Sequence, residues 1–370
     1  MNKLTINLLS LHRNYIYIKK GIVLKSLFKM AEQIDWSSLG FGYRKAPYNV
    51  RCTFKDGAWG ELRVCESEEV TMHMAATVLH YGQAGFEGLK AFRGKDGRIR
   101  IFRMNENAKR LQTTCHTILM QPLPDGLFEE AVLKVVKLNS HLVPPYETGC
   151  SMYIRPVLFG TGPQVGVSPA DEYEFIIFVM PVGPYFKDGF KATPCCIMRG
   201  FDRAAPLGTG RVKVGGNYAA SLVSGEMAHE KGYSAVIYLD ARSKKFIDEC
   251  GPANFFGIDG NTYITPDSES ILPSITNMSI QQVARDLGLK VEIRPMPVEE
   301  LAYLDEAAMC GTAAVIAPIY RIDDLDEDKT YNILPSTVPG PVCTRLYNTL
   351  RGIQYGDLED THGWVTIVEE

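Results

Sequence analysis

The nine cysteines of this sequence include no Cys-x-x-Cys, and their only close pair is Cys195-Cys196. Scattered through 370 residues, they read as free thiols in a reducing compartment, not as a disulfide framework. Excess positive charge is missing too. The 39 basic and 43 acidic residues leave a net charge of −4, so bulk electrostatics point to no nucleic-acid or membrane partner. His73 and His80 have no cysteine or carboxylate set at metal spacing, which argues against a zinc site. There is no Gly-x-Ser-x-Gly elbow, no internal repeat and no low-complexity tract. "GTGRVKV" is not a nucleotide phosphate loop. That loop needs Gly-Lys followed by Ser or Thr, and Lys213 stands between Val212 and Val214. "GTGPQVG" (160–166) lacks the third glycine at dinucleotide spacing.

Acid is absent from residues 1–29, which carry Lys3, Arg13, Lys19, Lys20, Lys25 and Lys29. Their apolar runs, "INLL" and "GIVL", are too short and broken to span a bilayer. A basic, acid-free segment is compatible with an organelle presequence. No small-residue cleavage site is evident, and the reading adopted is a disordered extension, or translation upstream of Met30.

What is there reads as an ordinary globular composition, 45% hydrophobic and 22% charged, with length for about two domains. Apolar strand patterns recur in "IRIFRM", "SMYIRPVLF", "YEFIIFVMPV" and "SAVIYLD". Helical patterns alternate with them: "NENAKRLQTTCHTIL", "LFEEAVLKVVKLNSHL", and then "NYAASLVSGEMAHEKG" and "TNMSIQQVARDLG", the last two closed by glycine. The fold class is α/β. "PVGPYFKDG", with two prolines and two glycines after an apolar strand, marks a linker at 181–190. It separates a smaller α/β domain (30–180) from a larger one (191–370).

One lysine stands out. In "RVKVGGNYAASL" the alternation before the glycines reads as a strand end, and the glycines as a turn or a close backbone approach. A lysine amine becomes a nucleophile towards aldehydes once partial burial lowers its pKa. A Schiff base to pyridoxal phosphate also needs an anion site, a carboxylate at the pyridine nitrogen and a hydroxyl near the ring oxygen. Ile275 and Thr276 open a predicted helix in "LPSITNMSIQQVARDLG", where free N–H groups favour phosphate. Glu249 ends a predicted strand before Gly251, and Tyr218 follows the lysine by five residues.

Six motifs in order carry a resemblance: "HYGQAGFEGLKAFRG", "YIRP", "KVGGNY", "DECGPANFF", "LPSITN" and "CGTAAVIAP". Across nearly all of 30–330 the chain resembles the class IV, fold-type IV pyridoxal-phosphate aminotransferases, and within them the branched-chain amino acid aminotransferases. The resemblance implies the fold-type IV architecture and a role for each matching residue. Lys213 matches the Schiff-base lysine, Tyr218 the tyrosine bonded to the cofactor's phenolic oxygen, and Glu249 the carboxylate at the pyridine nitrogen. Arg110 matches the phosphate-binding arginine, with Ile275, Thr276 and Thr312 completing the cup. Tyr81, Phe86 and Tyr153 match the substrate pocket, Arg155 the group that receives a distal carboxylate, and Thr312 and Ala313 the site of the substrate's α-carboxylate. Some family members carry a Cys-x-x-Cys after the "GTA" motif. Those positions are Ala314 and Ala317 here, so redox control through that pair is not expected.

The implied reaction is transamination between leucine, isoleucine or valine and 2-oxoglutarate, by a cytoplasmic homodimer or dimer of dimers. A D-amino acid transaminase or aminodeoxychorismate lyase of the same fold is the alternative; "YIRP" and "GLKAFRG" argue against both. A non-catalytic phosphate-binding module is the reading from another class. Taken alone, Arg155 beside Pro156 in an apolar run reads as half of a buried ion pair.

Overall fold

The computed structural model describes residues 34–184 and 189–369. The expectations for residues 1–29 lie outside that range, as does part of the expected linker. Two nine-stranded sheets organise the described residues.

The first sheet runs Val365–Val368, Ile99–Phe102, Leu89–Arg93, Ser151–Gly160, Tyr173–Val182, Asn49–Lys55, Ala58–Trp59, with Arg63–Cys65 and Ala84–Phe86 joined at the side. Its two longest strands, the expected runs "SMYIRPVLF" and "YEFIIFVMPV", pair antiparallel with Arg155 opposite Phe178. Lys90 sits opposite Tyr153. Alternation along the strand places Tyr153 and Arg155 on one face.

Helix Leu127–Leu138 covers this sheet. Phe128, Ala131, Val132, Val135 and Val136 are buried, the i, i+3, i+4, i+7, i+8 stripe of an amphipathic helix. Glu129 and Glu130 lie in its first turn, where the helix dipole favours acid.

In the second sheet the strand Ile247–Cys250 pairs with both Val236–Leu239 and Ala253–Asp259, closing six strands into a ring. Thr193–Ile197, Val315–Asp324 and Glu306–Gly311 complete it, and Thr262–Pro266, Lys290–Arg294 and Lys329–Asn332 extend it. Glu249, Asn254 and Cys310 lie side by side across three of its strands. Helix Ile275–Asp286 is capped by the Ser274 hydroxyl, which accepts from Asn277 N at 3.3 Å. It ends before Gly288, whose φ of +84° suits only glycine readily.

Three local expectations change. Arg211–Val214 is not a strand end. Val214 makes one isolated bridge, to Gly85, and the chain then turns. Gly215 and Gly216 open a short helix, Gly215–Ala219, rather than a loop, and the longer helix pattern breaks into this piece and Leu222–Glu230. The last strand, Val365–Val368, is in the first sheet, antiparallel to Ile99–Phe102, and not with the rest of 191–370. Helix Pro341–Tyr355 carries the chain back there. Its Leu346, Leu350 and Tyr355 share one core with Phe92 and Phe102 of the first sheet and Phe256 and Cys310 of the second.

The connection between Gly311 and Val315 is strained. Those two residues pair across the turn, and Val315 holds φ +65° while only 3% exposed. A β-branched residue in that region costs about 1–3 kcal/mol and persists only where its surroundings over-determine it.

Candidate active site

Lys213 lies where the two sheets meet. Its carbonyl accepts from Phe86 N at 3.0 Å and its N–H donates to Thr114 Oγ1 at 3.4 Å, so both flanks of its peptide are tied to the first-sheet half. Its Nζ donates to Tyr218 Oη at 2.7 Å and sits 4.8 Å from the centre of the Phe86 ring. Phe86 and Tyr218 meet edge to face at 5.1 Å. Burial lowers the lysine to about 8. Arg110 adds to the shift, as does Arg155, while Glu87 and Glu249 oppose it. Burial raises the Tyr218 hydroxyl to about 12, so it stays protonated.

A cavity of about 330 Å³ opens beside the lysine. Lys213, Tyr218, Glu249 and Arg110 line it, as do Phe86, Tyr153, Arg155, Thr312 and Ala313. Nine of the residues marked out by resemblance thus line one cavity. Ile275 and Thr276 do not line it. They begin the helix whose cap, Ser274, lines the cavity, and they border a smaller space of about 20 Å³ behind Thr312 and Gly88. Tyr81 is also elsewhere. It is 43% exposed, lines a separate groove of about 470 Å³ with Leu119, Val167 and Gly216, and its hydroxyl donates to the Val165 carbonyl.

Glu249 is buried at one end. Its Oε1 accepts from Arg203 Nη2 at 2.6 Å and from Leu272 N. Burial raises its carboxyl to about 7; Arg203 and the Leu272 N–H act the other way, towards the carboxylate. Arg110 is held by Glu87, Nε to Oε1 at 2.8 Å and Nη2 to Oε2 at 2.6 Å, and Asn107 Nδ2 also donates to Oε2 at 2.8 Å. Arg110 Nη1 reaches Pro273 O at 2.9 Å, next to the cap of helix Ile275–Asp286.

Arg155 has no ion-pair partner among the described residues. It donates to Tyr153 Oη at 3.0 Å from Nη2 and lies 4.8 Å above the Phe86 ring. The buried ion pair considered from sequence is therefore not what holds it. Gly88 is a glycine because a Cβ there would run into Tyr153 Oη.

Four residues of the site escaped the sequence reading. Glu87 was legible in principle, as an acid enclosed by "F" and "G" in an otherwise apolar stretch that must find a cation. Arg203 and Phe41 gave no local signal, and Lys90, though inside "HYGQAGFEGLKAFRG", carried no assigned role. Arg203 meets Glu249 across 46 positions of sequence.

A buried amine with a lowered pKa, a buried carboxylate and an arginine beside a helix N-terminus, all on one cavity, define a class of protein, and the family comparison agrees. The profile of the amino-transferase class IV family matches residues 85–322, and the chain belongs to that family. It is 45% identical over 337 residues to the branched-chain-amino-acid aminotransferase of Helicobacter pylori strain J99, covering 90% of this chain and 98% of that one. It is also 45% identical over 346 residues to the Haemophilus influenzae enzyme of the same name, covering 91% and 100%. Among solved structures it resembles the branched-chain amino acid aminotransferase of Thermobaculum terrenum in its PLP-bound holo form. That structure gives a TM-score of 0.73 at 25% identity, covering 89% of this chain and 100% of that one.

Proposed function

We propose that the protein moves amino groups between branched-chain L-amino acids (leucine, isoleucine, valine) and 2-oxoglutarate, with pyridoxal 5'-phosphate as cofactor. One observation carries the reading: the Lys213 amine, set 2.7 Å from the Tyr218 hydroxyl, opens onto a cavity with apolar walls, a buried carboxylate and an arginine that pairs with no carboxylate among the described residues. The curated relatives and the solved neighbour named above support it.

The residues fit that cofactor. Arg110 and the N-terminal turn at Ile275 and Thr276, with Thr312, would hold the phosphate; Glu249 would face the ring nitrogen and Tyr218 the ring oxygen. When bound, pyridoxal phosphate supplies an aldehyde to capture an amine and a ring to take up the electron pair left at the substrate Cα. Lys213 Nζ, neutral in useful proportion near pH 8, takes the proton from that Cα and keeps it for redelivery. Tyr218 Oη fixes the position of the amine. Arg203 keeps Glu249 biased to the carboxylate, so negative charge stands at the ring nitrogen.

Phe86, Tyr153 and Phe41 offer leucine an apolar wall. Glutamate brings a second carboxylate, costly to bury unpaired. Arg155 would receive it, and would rest on the Phe86 ring and Tyr153 Oη when leucine is bound.

We further propose a homodimer or dimer of dimers. Tyr81, Leu79, Leu119, Val165 and Val167 are exposed around the second groove, an apolar surface suited to a second copy. The place of action is proposed to be the cytoplasm; all nine cysteines are free thiols.

The test is a spectral titration of the purified yellow holoenzyme with leucine, glutamate and D-alanine. Leucine and glutamate should each discharge the visible band, and D-alanine should not. A response to D-alanine alone would move the assignment to the D-amino acid branch.

A further inference from the structure

Lys90 is the most deeply buried ammonium near the site, at 6% exposure, and no carboxylate pairs with it among the described residues. Burial lowers its pKa to about 7, and the positive charge of Arg351 adds to that. Its one side-chain hydrogen bond among the described residues crosses from the first sheet to the second, Nζ to Ala313 O at 2.8 Å. Gln354 Oε1, a buried acceptor bordering the same small space, has no hydrogen-bond partner among the described residues. The ammonium is thus spent on the peptide of Ala313.

That peptide lies in the strained turn before Val315. The turn is tied to the same first-sheet segment twice: Thr312 Oγ1 donates to Gly88 O at 3.2 Å, and Lys90 Nζ donates back to Ala313 O. Gly88 and Lys90 are two residues apart, so the two bonds, one from the Thr312 hydroxyl and one to the Ala313 carbonyl, tie neighbouring residues of the turn to the start of strand Leu89–Arg93. The strain at Val315 needs such over-determination to persist. Lys90 also stands opposite Tyr153 in the sheet, so the clamp is continuous with the substrate wall.

We infer that Lys90 is a positioning residue: it ties the Thr312–Ala314 turn to the first sheet and so fixes the backbone donor offered to the substrate's α-carboxylate. The inference rests on the proposed function, which gives that turn its carboxylate. A residue placed for stability would not be an ammonium without a counter-ion. A buried charge of this kind is replaced by an apolar isostere at little or no cost to stability.

Lys90→Met keeps the length of the side chain and removes the bond. Thermal stability, cofactor affinity by fluorescence of the cofactor-free protein, and dissociation constants of leucine and of 4-methylpentanoate by spectral titration of the holoenzyme should be measured. The expected result is a melting temperature unchanged or higher, cofactor affinity within about twofold, and both carboxylate ligands weakened about tenfold. A second variant, Lys90→Leu, shorter and equally unable to donate, should behave the same way. Carboxylate affinities within twofold of wild type in either variant would overturn the inference. So would a parallel fall in melting temperature, cofactor affinity and ligand affinity, the pattern of a general packing residue. If wild type itself fails to respond to leucine or 4-methylpentanoate, the proposed function fails and the inference falls with it.

Discussion

Glu87, wholly buried, grips Arg110 with both carboxylate oxygens, at 2.8 and 2.6 Å. The pair spends Arg110 Nε and Nη2 on the protein itself and aims the guanidinium at the end of the cavity where the helix Ile275–Asp286 begins. Two donors fixed in a fork make the remaining ones rigid.

Glu87→Gln therefore should hurt in two ways. Removing one partner of a buried pair costs about 3–5 kcal/mol, less where the amide keeps one bond. The freed guanidinium should also bind the cofactor phosphate in a less defined position. Chemical denaturation and cofactor titration of the same variant check both. A variant as stable as wild type with equal cofactor affinity would show that the pair neither supports nor orients Arg110.

Lys213→Ala should fold and still hold cofactor through Arg110 and the helix terminus. Loss of the proton-transferring base alone costs about 10²–10⁴-fold, and loss of the covalent anchor adds to it. Steady-state transamination of leucine against 2-oxoglutarate is the measurement. Turnover near that of wild type would remove Lys213 from its role.

The lowered pKa of Lys213 gives a pH prediction with a definite sign. An amine with a pKa of about 8 is about one quarter neutral at pH 7.5, against about one part in a thousand for an ordinary lysine near 10.5. Capture of pyridoxal phosphate by the cofactor-free protein, trapped with borohydride, should rise with pH to a midpoint near 8. For stability, a depressed lysine pKa means that the unfolded chain binds more protons between about 8 and 10.5. The cofactor-free protein should then gain stability from this group as pH rises through that window, and a Lys213→Met variant should lack the gain. A capture midpoint near 10 would show an ordinary, solvated lysine.

The parts of this reading that local sequence could carry are those with a local cause. "SMYIRPVLF" and "YEFIIFVMPV" are mostly apolar because their strands are largely buried, and they form strands at the expected places. Gly232 and Gly288 end helices because both hold positive φ. The glycines after Lys213 misled. Gly215 and Gly216 begin a helix because the residues behind them, Asn217 and Tyr218, are fixed by Thr209 and Lys213, contacts that no local pattern encodes. Val365–Val368 pairs with a strand some 260 residues earlier, a non-local choice made by the packing of helix Pro341–Tyr355. Lys213, Tyr218, Glu249 and Arg155 are legible because each sits in one of the six motifs, and Arg110, outside them, because it matches the phosphate-binding arginine. Arg203 lies outside every motif, and Lys90, inside "HYGQAGFEGLKAFRG", matches no assigned role because it acts through a partner. Tyr81 sits in the right motif but faces a different groove, since spacing does not say which of two neighbouring cavities a side chain enters.

Arg203→Met should isolate what the cation does for Glu249. Without its partner at 2.6 Å, the carboxyl, already raised to about 7 by burial, moves higher still. More of it is then protonated at neutral pH, and the acid limb of the rate profile should shift to higher pH, with a loss of about tenfold or more at pH 7. A pH–rate profile in leucine separates this from mere loss of fold, because activity should recover on the alkaline side. A variant whose activity falls equally at all pH values would make Arg203 a structural pair only.

Arg155 decides how one pocket serves two kinds of side chain. Its guanidinium lies 4.8 Å over Phe86 and bonds Tyr153 Oη at 3.0 Å, with no carboxylate to hold it among the described residues. A cation so placed is available to a ligand's carboxylate and tolerates an apolar side chain, because the aromatic faces already satisfy it in part. Arg155→Gln should weaken the 2-oxoglutarate half-reaction by on the order of 2–5 kcal/mol if the distal carboxylate is left desolvated and unpaired. The leucine half-reaction should change much less. Arg155→Lys should restore only part, since a point charge lacks the fork. Single-turnover kinetics of each half-reaction, in wild type and both variants, read the difference directly. An equal fall in both half-reactions would assign Arg155 to the architecture of the Phe86–Tyr153 wall, and recognition of the second carboxylate would belong to another residue.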